Sequence, residues 1–167
     1  MSQNLVPLIG ACATWLDRAY GPGASAFADA LVRVQTRQAT TVAAWLRFPT
    51  DWDAALVHLC GPASTGELDT VTGRPIGAGQ PWRTWVDATV VSWAACLLID
   101  TDLSRRAVAA VADTEHAQGL CLNFRSLVQP DEHEARAGAL LRHPDLVEPV
   151  AVLHRPTLLD RLAPRGN

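Results

Sequence analysis

The amino-acid sequence predicts a mainly α-helical fold, a bundle of two helical hairpins joined by a long crossover, and three observations predict it. Apolar residues recur at helical spacing over several long stretches, N-capping residues stand ahead of them, and Gly or Pro closes them. With 167 residues, 49% hydrophobic and 19% charged, the chain suits one domain spanning 1–167 around a single core.

The first helix is marked by Leu5, Leu8, Ile9, Cys12, Leu16 and Ala19, and Tyr20-Gly-Pro-Gly ends it. Ser25 caps the next, which sets Phe27, Leu31, Val34, Val42, Trp45 and Leu46 on one side and stops before Pro49, giving an antiparallel hairpin. Thr50-Asp-Trp-Asp53 is a capping box opening a short helix with Trp52, Leu56 and Leu59 on one face, closed by Gly61-Pro62. Ala54 to Cys60 also reads as a strand paired with Leu68 to Thr72, but the cap and stop signals favour helix.

Residues 61–80 form a Gly/Pro-rich crossover, with room for a small hairpin. From Pro81, a favourable first helical position, Trp82, Trp85, Val86, Thr89, Val90, Trp93 and Leu97 follow the 3.6 period, and the residues between them are also apolar, so this helix is expected to be buried nearly all round. Asp100 and Asp102 read as turn and N-cap residues before a helix that runs through Leu103, Ala107, Val108, Val111 and Ala117 to Gly119. Residues 120–128 either extend it or form a strand. Asp131 to Glu134 is a second capping box, and Pro144, Pro149 and Pro156 cut 144–167 into a short helical C-terminal tail.

The alternative fold is an α/β or α+β domain with strands at Ala94 to Ile99, Leu120 to Phe124 and Val150 to Leu153, and a crossover helix from Ser104 to Gln118. Val, Cys and Leu enrichment favours it, and the tryptophan periodicity opposes it.

A net charge of −3 gives no pull toward nucleic acid or an anionic membrane. All 14 basic residues are arginine, a bias expected of a GC-rich genome, and the missing lysine excludes Schiff-base, pyridoxal-phosphate and P-loop chemistry. The longest apolar run, Ala88 to Ile99, is too short to span a bilayer, and no leader pattern opens the chain, so a cytoplasmic location is expected. Cys12, Cys60, Cys96 and Cys121 lack C-x-x-C spacing and read as reduced thiols, Cys60 beside Gly61 being the accessible one. The six tryptophans read mainly as core, although any at a surface would mark a protein interface.

The candidate metal residues are Asp87, Asp113 and His116. Asp113 and His116 lie one helical turn apart, and Asp87 precedes the Asp100 turn by about as much as Asp113 follows it, which would set it opposite on an antiparallel neighbour. Each also has a plainer reading: Asp87 at the positive end of a helix, and the Asp113/His116 pair on a solvent face shared with Ala109 and Ala110.

Leu103-Ser-Arg-Arg-Ala107 leading to Asp113-Thr-Glu-His116 resembles the last core helix of the ferritin-like superfamily, in particular the phenylacetate-catabolic oxygenase subunits, with Asp in place of Glu. Gln35 and Gln38, with Ala43-Ala-Trp-Leu46, are similar to the second core helix, but the two glutamines occupy its Glu-x-x-His places. This resemblance implies a ferritin-like bundle with a degenerate ligand set, holding at most a single iron or manganese ion. It further implies a noncatalytic or partner-dependent subunit of a larger, oxygenase-associated assembly, with a protein partner or homo-oligomer. The alternative function, a bacterial small-molecule sensory domain, rests on Ala54 to Gly73, which looks like the first hairpin of a GAF-type domain, and on Trp93-Ala-Ala-Cys-Leu-Leu, similar to a strand of DICT sensory domains.

Overall fold

Capping and periodicity produce helix along nearly the whole chain. The computed structural model describes residues 5–21, 23, 25–62, 65–73, 79–120 and 122–164. Cys121, positions 74–78 of the crossover and 165–167 of the tail lie outside the described residues. Among the described residues there are ten α-helices and no strand. They are α1 (Val6–Tyr20), α2 (Ala26–Arg47), α3 (Asp51–Cys60), α4 (Gly66–Thr72), α5 (Ala88–Ile99), α6 (Thr101–Val111), α7 (Arg125–Val128), α8 (Glu132–Ala137), α9 (Pro144–Ala151) and α10 (Arg155–Arg161). None is long and apolar enough to cross a membrane.

The caps fall where the sequence puts them. Ser25 accepts from the Ala28 N–H, Thr50/Asp53 and Asp131/Glu134 close full capping boxes, and Asp100 both ends α5 and caps α6 by accepting from Asp102 and Leu103. The α1–α2 hairpin also forms, with Leu5, Leu8, Ile9, Cys12 and Leu16 buried. Its partner α5 is buried at every residue from Ala88 to Leu98, because α1, α2, α6, α9 and α10 surround it. Each Val or Leu so enclosed contributes about 1.5–3 kcal/mol.

Several expectations need correction. Ala94 to Ile99 and Val150 to Ala151 are helical, and residues 120 and 122–124 have no regular structure, so the strands of the α/β reading are not formed. Pro81 opens a five-residue 3-10 helix, Pro81–Trp85, and α5 starts only at Ala88. The crossover carries α4 in place of a hairpin. The α6 helix ends at Val111, not Gly119. Thr114 turns back, its N–H and hydroxyl both donating to the Val111 carbonyl at 3.0 and 2.8 Å, while the Glu115 N–H goes to Pro49 O at 3.1 Å. Early in α2 the inward face is polar: Phe27 and Val34 are exposed, and Gln35, Thr36 and Thr40 are buried. The threonines manage this by donating to carbonyls of their own helix.

The C-terminal pieces are short helices, and they pack into the core. Ser92 donates to Ala151 O at 3.0 Å and accepts from the His154 N–H at 3.0 Å, and the Trp93 indole donates to His154 O and to Thr157 Oγ1, each at 3.1 Å. These few polar groups on an apolar helix thus fix the register of α9 and α10 against α5.

The other end of α5 is held by a buried polar clamp. Arg142 donates to Gln35 Oε1 at 2.7 Å, to Leu98 O at 3.2 Å, and to Ser126 O and Leu127 O at 2.8 and 3.2 Å. All three carbonyls belong to last helical turns, whose acceptors have no partner inside the helix. Gln35 donates in turn to Glu134 O at 2.9 Å, and Gln38 brackets α7 by accepting from the Leu127 N–H at 2.9 Å and donating to Asn123 O at 3.3 Å. Gly138 is required here, since a Cβ would stand 2.8 Å from Gln35 Oε1. Burial opposes ionisation of Glu134, but donation from Ser126 and the Asp131 N–H and the charge of Arg125 outweigh it, holding its carboxyl below the usual range.

Arg142→Ala removes the fork from three carbonyls and a buried amide, with an expected loss of about 3 kcal/mol in urea unfolding. Arg142→Lys recovers less than half of it, because one ammonium cannot reproduce the planar fork.

Candidate functional site

Of the three residues singled out as metal ligands, Asp87 and His116 have separate structural tasks and Asp113 stands in solvent. Asp87 is buried as the N-cap of α5, its Oδ1 accepting from Thr89 N at 2.8 Å and Val90 N at 3.1 Å. Asp113 is exposed in the turn after α6. His116 lies in the short 3-10 turn Glu115–Ala117, its ring stacked on Trp45 and its Nε2 2.6 Å from Phe48 O. A carbonyl only accepts, so Nε2 carries the proton and has no lone pair for a metal. Asp113 and His116 are not on one helix, because α6 has already ended. Among the described residues no group of three or more His, Cys, Asp or Glu stands where it could hold a metal ion. Gln35 and Gln38, at the Glu-x-x-His places of the resemblance, are engaged by the clamp on α7 and α8.

His116 and Glu115 do share a function, which is to fix the corner between α2 and α3. Glu115 Oε2 accepts from the Asp51 N–H at 2.8 Å, placing a carboxylate at the positive end of α3, and His116 Nδ1 lies 4.0 Å from Asp51 Oδ1. The orientation of α3 is therefore set from outside the helix.

That orientation is unusual. Only Ala54 and Val57 of α3 are buried, while its largest apolar side chains point outward: Trp52 and Leu59 are each 81% exposed and Leu56 57%. Their i, i+4, i+7 spacing makes one continuous ridge along the helix. Gly61, with φ of 75°, ends α3 in a conformation that a side chain would strain, and Pro62 follows it. Along the ridge runs a groove of about 440 Å³ lined by Arg47 and Phe48 from the end of α2, by Asp53, Leu56, Val57 and Cys60 along α3, and by Pro62 and Asp87. Arg47 lies over the Phe48 ring, 5.4 Å from its centroid, and makes no ion pair among the described residues.

The tryptophans divide accordingly. Trp15 and Trp93 are buried, Trp45, Trp82 and Trp85 half-buried against the core, and Trp52 stands in solvent. The sequence reading found the ridge as a face but assigned most tryptophans to the interior. The signal that could have reversed this is the poverty of the opposite face, where α3 offers the core only Ala54 and Val57.

The thiols divide in the same manner. Cys60 is exposed at the groove, whereas Cys12 is fully buried against the Asp87 backbone, and burial pushes its pKa up to about 12. Below pH 9 both the folded and unfolded thiols are protonated; above it only the unfolded one ionises, so folding stability falls as pH rises from 9 toward 12. Between pH 8 and 10 the wild type should lose about 1.4 kcal/mol more than Cys12→Ala, measured by urea unfolding of both proteins at each pH.

Compared with known proteins, the chain matches no family model, no curated protein and no solved structure, so the functional reading of this surface rests on its own geometry.

Proposed function

We propose that the chain is a partner-dependent helical subunit of a larger assembly that docks through the Trp52, Leu56 and Leu59 face of α3. The observation that carries this reading is the exposure of that ridge on a helix whose inward face is nearly bare. Single exposed leucines are ordinary, but a contiguous apolar patch that includes a tryptophan marks an interaction surface. Anchors at i, i+4 and i+7 are the spacing with which a helix seats in an apolar groove of another protein. The ridge is also held rigidly, by the Thr50/Asp53 box, the Glu115 contact and His116, so that little ordering entropy opposes docking. Association with an oxygenase is supported only by the resemblance of residues 34–46 and 103–116 and belongs to the bundle's shape.

The test is gel filtration of native cell extract containing the tagged chain at ordinary abundance, beside a variant with Trp52, Leu56 and Leu59 all changed to Ser. The wild type should elute in a species larger than a monomer and the variant as a monomer. Unfolding free energies of the two should agree within about 0.5 kcal/mol, because the altered side chains stand outside the core. A wild-type monomer in extract, or a variant that stays in the larger species, contradicts the reading.

A further inference from the structure

We propose that the partner docked along α3 inserts a lysine side chain into the groove beside the ridge, its methylenes along Phe48, Leu56 and Val57 and its ammonium on the Asp87 carboxylate. The inference rests on the docking reading above and names the chemistry of its occupant.

An apolar ridge gives contact area but little choice among apolar partners, because none of them leaves a polar group unpaired there. The choice comes from the groove, and its enclosed acid is the first ground. Asp87 is only 2% exposed, yet it lines the groove and has one oxygen to spare. Its Oδ1 accepts from the Thr89 and Val90 N–H groups, whereas Oδ2 has no hydrogen-bond partner among the described residues and is not wholly buried. Held in so enclosed a place, that oxygen gains more from a donor brought by a partner than an exposed carboxylate would.

The second ground is the sign of the groove. Asp53 lines it as well and is used in the same way, Oδ2 accepting from the Thr50 N–H and hydroxyl while Oδ1 has no partner among the described residues. The end beside Cys60 and Gly61 is the C-terminus of α3, the negative end of that helix. There the Gly61 N–H goes to Val57 O, and Pro62 has no N–H to offer the next carbonyl. Against these stands one cation, Arg47, which is exposed and lies over Phe48. Two carboxylates and a helix C-terminus against one guanidinium leave the groove acidic, and a cation is what it accepts.

The third ground is the shape of the donor. With one Asp87 oxygen open, the two-pronged bonding of a guanidinium to a carboxylate is not available, whereas an ammonium bonds to a single oxygen. Phe48, Leu56, Val57 and Pro62 give the groove apolar walls, which suit the methylene stem that lysine carries behind its charge. The 167 residues contain no lysine, so a second copy of them does not supply it, and the occupant is a different protein.

The side chain is tested with its own analogue. In amide-resolved NMR titrations of the full chain, n-butylammonium chloride should shift Val57, Cys60, Gly61 and Asp87 and saturate at about 10–50 mM, while sodium butanoate at equal ionic strength should not. Asp87→Asn keeps the cap of α5, since an Asn amide oxygen accepts from the same N–H groups. It should weaken ammonium binding about tenfold or more, with an unchanged melting curve. Arg47→Ala should tighten binding, because a like charge leaves the groove. In native extract, Asp87→Asn should release the chain from its assembly. Shifts as strong with 1-butanol as with the ammonium, butanoate binding in its place, or an ammonium affinity indifferent to Asp87→Asn overturns the lysine. If the assembly survives Asp87→Asn but is lost when Trp52, Leu56 and Leu59 are all changed to Ser, the lysine is overturned while docking through α3 stands. If it survives both, both are overturned.

Discussion

The Arg142 guanidinium is the point on which the arrangement of short helices depends. A four-residue helix such as α7 cannot satisfy its own ends, and the last turn of α5 is buried where water cannot serve it. One side chain supplies donors to both, and to the Gln35 amide that locks α8. Its burial lowers its pKa, the nearby Glu134 carboxylate countering that effect, and guanidinium is basic enough to stay charged regardless. The charge also sits at two helix C-termini, where a cation is favoured. Leu98, Ser126, Leu127 and Gln35 are thereby held by a group with a fixed planar geometry, which sets how α2, α5, α7 and α8 meet.

With that end clamped, and with Ser92 and Trp93 fixing α9 and α10 along the other side, α5 is fully enclosed by α1, α2, α6, α9 and α10. The helix α3 touches the rest of the fold through Ala54 and Val57, the His58 ring against Trp85, and the His116 corner. Its larger apolar side chains, Trp52, Leu56 and Leu59, turn outward. Asp87, Asp100, Glu115 and His116 are taken up by capping and corner-bracing, whereas Asp113 stands exposed in the turn after α6.

Much of this was legible in the sequence. Local signals with a single physical meaning came through: Ser25, Thr50/Asp53, Asp100 and Asp131/Glu134 each cap the helix they announce, and the apolar run after Asp87 is the enclosed helix. What failed depends on contacts far apart in the chain. Gln35, Thr36 and Thr40 look solvent-facing until Glu134 and Arg142 are known to lie above Gln35, so periodicity assigned the wrong face to the first half of α2. Asp113 and His116 look one turn apart on a helix until Pro49 and Phe48 draw Glu115 and His116 away from it. Trp52, Leu56 and Leu59 were readable as one face, but no local rule states whether an apolar face meets a core or a partner.

The central claim is that α3 is a rigid docking ridge surplus to the core, and hydrogen exchange of the chain, free and within the assembly recovered from native extract, tests it most directly. Amides of α3 should gain protection in the assembly, while those of α2 and α5, already enclosed within one copy, exchange at the same slow rate in both states. Exchange in α3 that is the same in both states would show that the helix meets no partner, and would contradict the account.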